Sequence, residues 1–225
     1  MNVSDLIQIN SLGERAYTLN INVDELSSQG RLHIQQKIWA LAHSCKTMAG
    51  VEDIVPGMNN LSIILDHVQS SPNQISSMLQ ELWYASSEDE FDSQTRVVPV
   101  SYGEEYGPDI EFVASFHNLS VSQLIELHSE VLYTVFFIGF QPGFAYMGGL
   151  PDILHTPRRD HPRVLVPAGS VAIGGAQTGI YPYDSPGGWH IIGHTAVSLF
   201  DSSLKQPSFL RPGDLVRFQA VNDHV

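Results

Sequence analysis

The 225 residues, 43% of them apolar, are enough for one large or two modest cores that fold without staples. With 24 acidic against 11 basic residues and a formal net charge of -13, the chain repels a polyanion, which argues against nucleic acid as a partner. A single cysteine, Cys45, excludes an internal disulfide and a multi-thiol metal site; no export signal or membrane span is found, so a cytoplasmic setting is expected.

In chain order, "AYTLNI" at 16–21 has the alternation of a strand, and Ile34, Ile38, Leu41, Ala42, Cys45 and Met48 then recur at the three- and four-residue spacings of a buried helix face. "VEDIVP" and "LSIILDH" form two short β-rich runs joined by the turn residues "GMNN", and Ile75, Met78, Leu79, Leu82 and Trp83 make a second helical face. Taking "RVVPV" at 96–100 as the last strand gives the order β-α-β-β-α-β, a ferredoxin-like split βαβ unit. The polar, acidic stretch "SSEDEFDSQT" at 86–95 reads as a solvated connection, so the expected domains are 1–90 and 91–225.

Beyond that connection, short helices are expected at "PDIEFVASF" and "SVSQLIELHSE", the second started by Ser120 and Gln123 as a capping box. The remaining runs, "VLYTVFFIGF", "RVLVPAGSVAIGG", "WHIIGHT", "AVSLF" and "DLVRFQAV", are short, apolar and punctuated by Gly and Pro, which predicts a closed barrel or sandwich. The fold class is therefore α+β, a small α/β domain followed by a β-barrel.

Several chemistries are unsupported. No GxxxxGK[ST] loop is present, and "GGAQTG" at 174–179 lacks the helix that a dinucleotide fingerprint needs. His190 and His194 have an H-x3-H spacing that on a strand would place both on one face, but no Cys or carboxylate cluster completes a metal shell, so no metal is expected. Ser170 and Ser185 do not match a nucleophile elbow, and Cys45 lies on an apolar helix face as a small core residue.

Three features point to binding. Arg158, Arg159 and Arg163 are a concentrated positive patch in an acidic chain; their forks suit carboxylate or phosphate, or equally the protein's own acids. "GGAQTGIYPYDSPGGWH" places Gln177, Thr178, Tyr181 and Trp189 among glycines, as ligand-lining loops do and as tight barrel turns also do. "FFIGFQPGFAYMGGL" at 136–150 sets backbone-permissive residues beside aromatic rings, which reads as a shaped wall.

The stretches "SLGERAYTLNI", "GVEDIVPG", "VPVSYGEEYGPDIEFVA", "FQPGFAYMGGL" and "TPRRDHPRVLVPAGSVAIGGAQTGIYPYDSPGGWHIIGHT" together resemble, nearly end to end, the KipI or allophanate hydrolase subunit 1 family, which includes the B subunits of prokaryotic ATP-dependent 5-oxoprolinase. The resemblance implies a cyclophilin-like barrel, a direct complex with the enzyme's C subunit, a further A subunit, and ATP with Mg in the assembled enzyme that opens 5-oxo-L-proline to L-glutamate. It implies no prolyl isomerase activity. On this reading Arg158, Arg159 and Arg163 hold phosphate or substrate carboxylate, while Gln177, Thr178, Tyr181, Trp189 and His190 line a cavity completed by the C subunit. Pro142, Gly143, Phe144, Tyr146, Gly187 and Gly188 form its wall. Inhibition of a sensor histidine kinase and a role in urea or allophanate metabolism are the alternatives within the same resemblance. Where many members carry Arg or Lys around "GGWxxIGxT", this chain has His190 and His194, which makes the local charge sensitive to pH.

Overall fold

Alternation in "AYTLNI" buries Tyr17, Leu19 and Ile21 on one side of a strand, β2 (Ala16–Ile21), and the computed structural model builds a small antiparallel sheet around it. Residues 7–23, 26–67, 71–86 and 93–221 are described, and their contacts divide the chain into two compact units, Met1–Phe91 and Asp92–Val225. Most of the acidic connection expected at 86–95, together with the first six residues, lies outside the described residues.

In the first unit, β1 (Ile7–Leu12) precedes β2, and α1 (Ser28–Cys45), β3 (Val51–Gly57), β4 (Asn60–Leu65) and α2 (Pro72–Ala85) follow, with sheet order β1-β2-β4-β3. The predicted helix faces bury Ile38, Leu41, Leu79 and Trp83 against Leu19, Leu61 and Ile63. Cys45 is part of this core, and burial pushes its thiol up to about 11, so it is a protonated packing residue. Pro72 and the Ser71–Gln74 capping box start α2, with Gln74 accepting from the Ser71 backbone N–H at 3.0 Å.

One strand of the expected order belongs elsewhere. "RVVPV" lies within β5 (Thr95–Tyr102), a strand of the second unit, and β1 takes the edge beside β2. The physical reason is partner choice: Val98 and Val100 are fully buried in the barrel core, whereas β1 half-buries only Ile7 and Ile9 and so has a faint apolar signal.

The second unit continues with α3 (Ile110–Phe116), α4 (Val121–Ser129), β6 (Leu132–Ile138), β7 (Ala145–Gly148), β8 (Arg163–Val166), β9 (Ser170–Gly174), β10 (Gln177–Ile180), β11 (Ser185–Gly187), β12 (His190–His194) and β13 (Leu215–Ala220). Seven strands close a barrel in the order β10-β7-β6-β13-β5-β12-β9, and β8 and β11 form a separate ribbon. The expected capping box is present: Ser120 Oγ accepts from Gln123 N–H, and Gln123 Oε1 accepts from Ser120 N–H. The predicted run "AVSLF" is not a strand; it contributes only an isolated bridge between Phe200 and Ser208.

Inside the barrel a buried polar relay has a single direction. Thr178 Oγ1 donates to the Ala172 carbonyl at 3.0 Å, so it accepts from His128 Nε2–H at 3.0 Å, and His128 Nδ1 in turn accepts the Tyr102 hydroxyl at 2.7 Å. Burial drives the His128 pKa down to about 3, which keeps the ring neutral and the relay intact. Thr178 is thus a fully enclosed core residue that ties α4 to β9.

On the other face of β9 and β12, Phe144, Tyr181 and Trp189 pack edge-on, with Ala172 and Ile191 beneath and Val166 of the ribbon beside them. The glycines make room for the rings. A Cβ on Gly174 would lie 2.5 Å from the Trp189 indole, and one on Gly187 would lie 2.5 Å from the Tyr181 hydroxyl. Gly143, at φ +86, turns the chain where a Cβ would meet the Leu199 carbonyl at 2.9 Å. Among the described residues no helix is long and apolar enough to cross a membrane. Gly174→Ala should lower stability by about 1–3 kcal/mol through displacement of the indole, whereas Gly188→Ala, whose Cβ would sit in ordinary contact 3.6 Å from Pro162, should be close to neutral; urea unfolding midpoints check both.

Candidate functional site

"GPDIEF" begins a helix with an acid, and the structure turns that acid inward. Asp109 precedes α3, its side chain makes no cap bond, and it is only 4% exposed. Its Oδ1 accepts from Arg159 at 2.9 Å and from Arg163 at 2.8 Å, while Oδ2 accepts from Arg163 at 2.7 Å and from the Ile191 backbone N–H at 2.7 Å. Arg163 therefore grips the carboxylate in the two-pronged manner its planar fork permits. Burial pushes the Asp109 pKa up, but the hydrogen bonds from Arg163 and Ile191 and the Arg163 and Arg159 charges outweigh it, and the net shift is downward.

With Asp109 anchored, helical spacing presents Phe112 and Phe116 on the same side of α3. Both are about half exposed, at 53% and 51%, and they rim a cleft of about 440 Å³ whose other walls include Pro157, Arg158, Arg159, Asp160, His161 and His190. Phe112 stacks on the His190 ring with centroids 4.9 Å apart. The loop carrying the arginines is held from below: the Arg159 backbone N–H donates to the Gly188 carbonyl at 2.8 Å, and the Pro157 carbonyl accepts from His190 Nε2 at 3.0 Å.

The sequence-predicted residues divide accordingly. Arg158, Arg159 and His190 line the cleft, and Arg163 braces it through Asp109. Arg158 is exposed, has no carboxylate partner among the described residues, and lies 5.9 Å above the Trp189 ring. Tyr181, Trp189 and Phe144 are buried in the aromatic cluster, with Tyr146 at its edge; burial raises the Tyr181 pKa. Thr178 is inside the barrel, Gln177 opens β10 opposite Gly174, and Pro142 is exposed on the turn ahead of Gly143. Gly187 packs under Tyr181, while Gly188 serves the arginine loop.

His190 and His194 do not share a face. A one-residue bulge between Ile191 and Gly193 separates them, so that His190 turns to the cleft while His194 donates to the Ala168 carbonyl at 3.1 Å and lies near Tyr106. The residues that sequence reasoning did not single out are Asp109, Phe112 and Phe116. The faint signal was a carboxylate one helical turn before Phe112, indistinguishable by pattern from the chain's other acids.

The carboxyltransferase domain, subdomain C and D, family matches residues 7–210. The chain is 49% identical over 207 residues to the B subunit of 5-oxoprolinase from Escherichia coli O157:H7, covering 92% of this chain and 93% of that protein. It is 32% identical over 233 residues to the 5-oxoprolinase B subunit of Bacillus subtilis (strain 168), covering 96% and 93%. Among solved structures, TTHA0988 superposes with a TM-score of 0.75 at 33% identity over 92% of this chain, which spans 40% of that longer chain.

Asp109→Asn should cost about 2–4 kcal/mol, since it leaves two guanidinium groups without a counter-charge while roughly a quarter of their surface stays in water. Because the folded-state pKa of Asp109 is depressed, its contribution is complete above the ordinary Asp value and is lost as pH falls through the lower folded value. Urea midpoints measured from pH 7 down to below the ordinary Asp range should show a downward step in the wild type that the Asn variant lacks.

Proposed function

The chain belongs to the carboxyltransferase domain, subdomain C and D, family, and from that membership we propose that it is the B subunit of an ATP-dependent 5-oxoprolinase, a hydrolase complex that converts 5-oxo-L-proline to L-glutamate. The observation that carries this reading is the 49% identity to a named 5-oxoprolinase B subunit along nearly the whole of both chains. Its direct partner is the C subunit, and the A subunit joins them. A cytoplasmic setting fits the single, buried, protonated cysteine.

The chemistry accounts for the division of labour. A lactam is a poor electrophile, and phosphorylation of its oxygen makes it one that water can attack, which demands anion-binding groups and a site closed to bulk water. This chain offers the first in Arg158 and a half-built version of the second in the cleft rimmed by Phe112 and Phe116. No hydroxyl lining the cleft hands its proton to a base: Thr156 Oγ1 donates to the Leu154 carbonyl, so it accepts from His117 Nε2. That arrangement favours a site completed by another protein of the complex.

The residues here do not make a nucleoside-triphosphate site by themselves. Asp109 takes up two of the three guanidinium groups, and no glycine-rich loop leads into a helix to cradle phosphates among the described residues. We therefore place ATP on the partners and assign Arg158 to the substrate carboxylate, with Arg159 and Arg163 held as a rigid base for the loop.

The test is 5-oxoproline-dependent ATP hydrolysis and glutamate release by this protein alone, with the C subunit, and with the A and C subunits together. Turnover is expected only in the full mixture. A stable complex of all three proteins that releases no glutamate would overturn the reading and turn attention to kinase inhibition.

A further inference from the structure

Two residues that line the cleft each carry a buried polar atom with no hydrogen-bond partner among the described residues: Arg159 Nε and His190 Nδ1. Their characters are opposite. Arg159 Nε carries a hydrogen and can only donate. His190 Nε2 faces the Pro157 carbonyl, which can only accept, so the ring proton is on Nε2 and Nδ1 presents a lone pair. Arg159 Nη1 donates to Asp109, and Phe112 covers the imidazole face. A buried donor or acceptor left unpaired costs about 1–3 kcal/mol, and a fold that keeps one of each on residues lining the same cleft suits a ligand that offers one of each.

We propose that Arg159 Nε and His190 Nδ1 form a subsite that reads the edge of a cis-amide in a small cyclic substrate, Arg159 donating to its carbonyl oxygen and His190 accepting its N–H, with Arg158 meeting a carboxylate on the same ring. The inference rests on the 5-oxoprolinase reading, since 5-oxoproline is such a molecule: a five-membered lactam bearing one carboxylate. The cleft, about 440 Å³, has room for it, and Phe112 and Phe116 supply the apolar cover for the ring methylenes.

The subsite requires a neutral imidazole, and its surroundings keep it so. Burial lowers the His190 pKa; the Pro157 carbonyl and Asp109 act in the opposite direction, Arg159 and Arg163 lower it further, and the net shift is downward. Substrate binding should therefore be constant at neutral pH and above, and fall only as pH drops below the ordinary histidine value, where protonation replaces the acceptor with a donor.

The experiment uses the complex assembled with the A and C subunits, 5-oxoproline as substrate, and as competitive inhibitor the lactone in which a ring oxygen replaces the N–H. His190→Gln keeps a donor for the Pro157 carbonyl and removes the acceptor at Nδ1. Arg159→Lys keeps a cation for Asp109 and removes Nε–H, so it carries the test if the first variant does not fold. Wild-type enzyme should favour the lactam over the lactone by roughly ten-fold or more. In His190→Gln the KM for 5-oxoproline should rise about ten-fold with a smaller change in kcat, the discrimination should shrink to about two-fold, and the acidic limb of kcat/KM should disappear. Arg159→Lys should raise both the KM for 5-oxoproline and the Ki of the lactone. A wild-type complex that turns over 5-oxoproline while both variants keep its KM and its discrimination would overturn the subsite and leave the functional reading standing. An assembled wild-type complex with no turnover would remove the functional reading, and the subsite with it.

Discussion

The cleft of the second unit is organised around a buried carboxylate, that of Asp109. Asp109 accepts four hydrogen bonds, three from two guanidinium groups and one from a backbone N–H, and these come from partners 50, 54 and 82 positions away in the chain. A carboxylate so enclosed is tolerable only when it is fully paired. Satisfying it pins the start of α3, the arginine loop and β12 to a single point. The position of Phe112 over His190, the shape of the cleft and the exposure of Arg158 all follow from that constraint.

Glycine and aromatic residues on the outer face of the barrel act together. Beside Phe144, Tyr181 and Trp189 the glycines leave flat surfaces onto which the rings pack, on the barrel face opposite the main core. The arginine loop rests on that layer through Gly188 and through the contact of Arg158 with Trp189. A rigid aromatic layer beneath a charged loop limits where the loop can go, which is what a binding site held by few side chains requires.

Among the described residues, the hydroxyl that lines the cleft, that of Thr156, donates to a backbone carbonyl and not to a base. TTHA0988, in which a region like this chain accounts for 40% of a longer polypeptide, shows that the same fold occurs joined to further sequence.

What could be read along the chain was whatever depends on near neighbours. The two helix faces of the first unit, the Ser120 capping box, the β-rich second half and the core role of Cys45 all rest on spacings of three or four residues or on alternation, and all are present. The family was legible for the related reason that long ordered motifs persist in sequence. Tertiary structure alone decided the rest. It assigned "RVVPV" to the barrel because a short apolar run accepts any sheet that covers it, and it parted His190 from His194 by one bulged residue. It also chose Asp109 among 24 acidic residues as the partner of Arg159 and Arg163. Each of those outcomes depends on which distant segments barrel closure brings within hydrogen-bond reach, and local pattern carries no record of that.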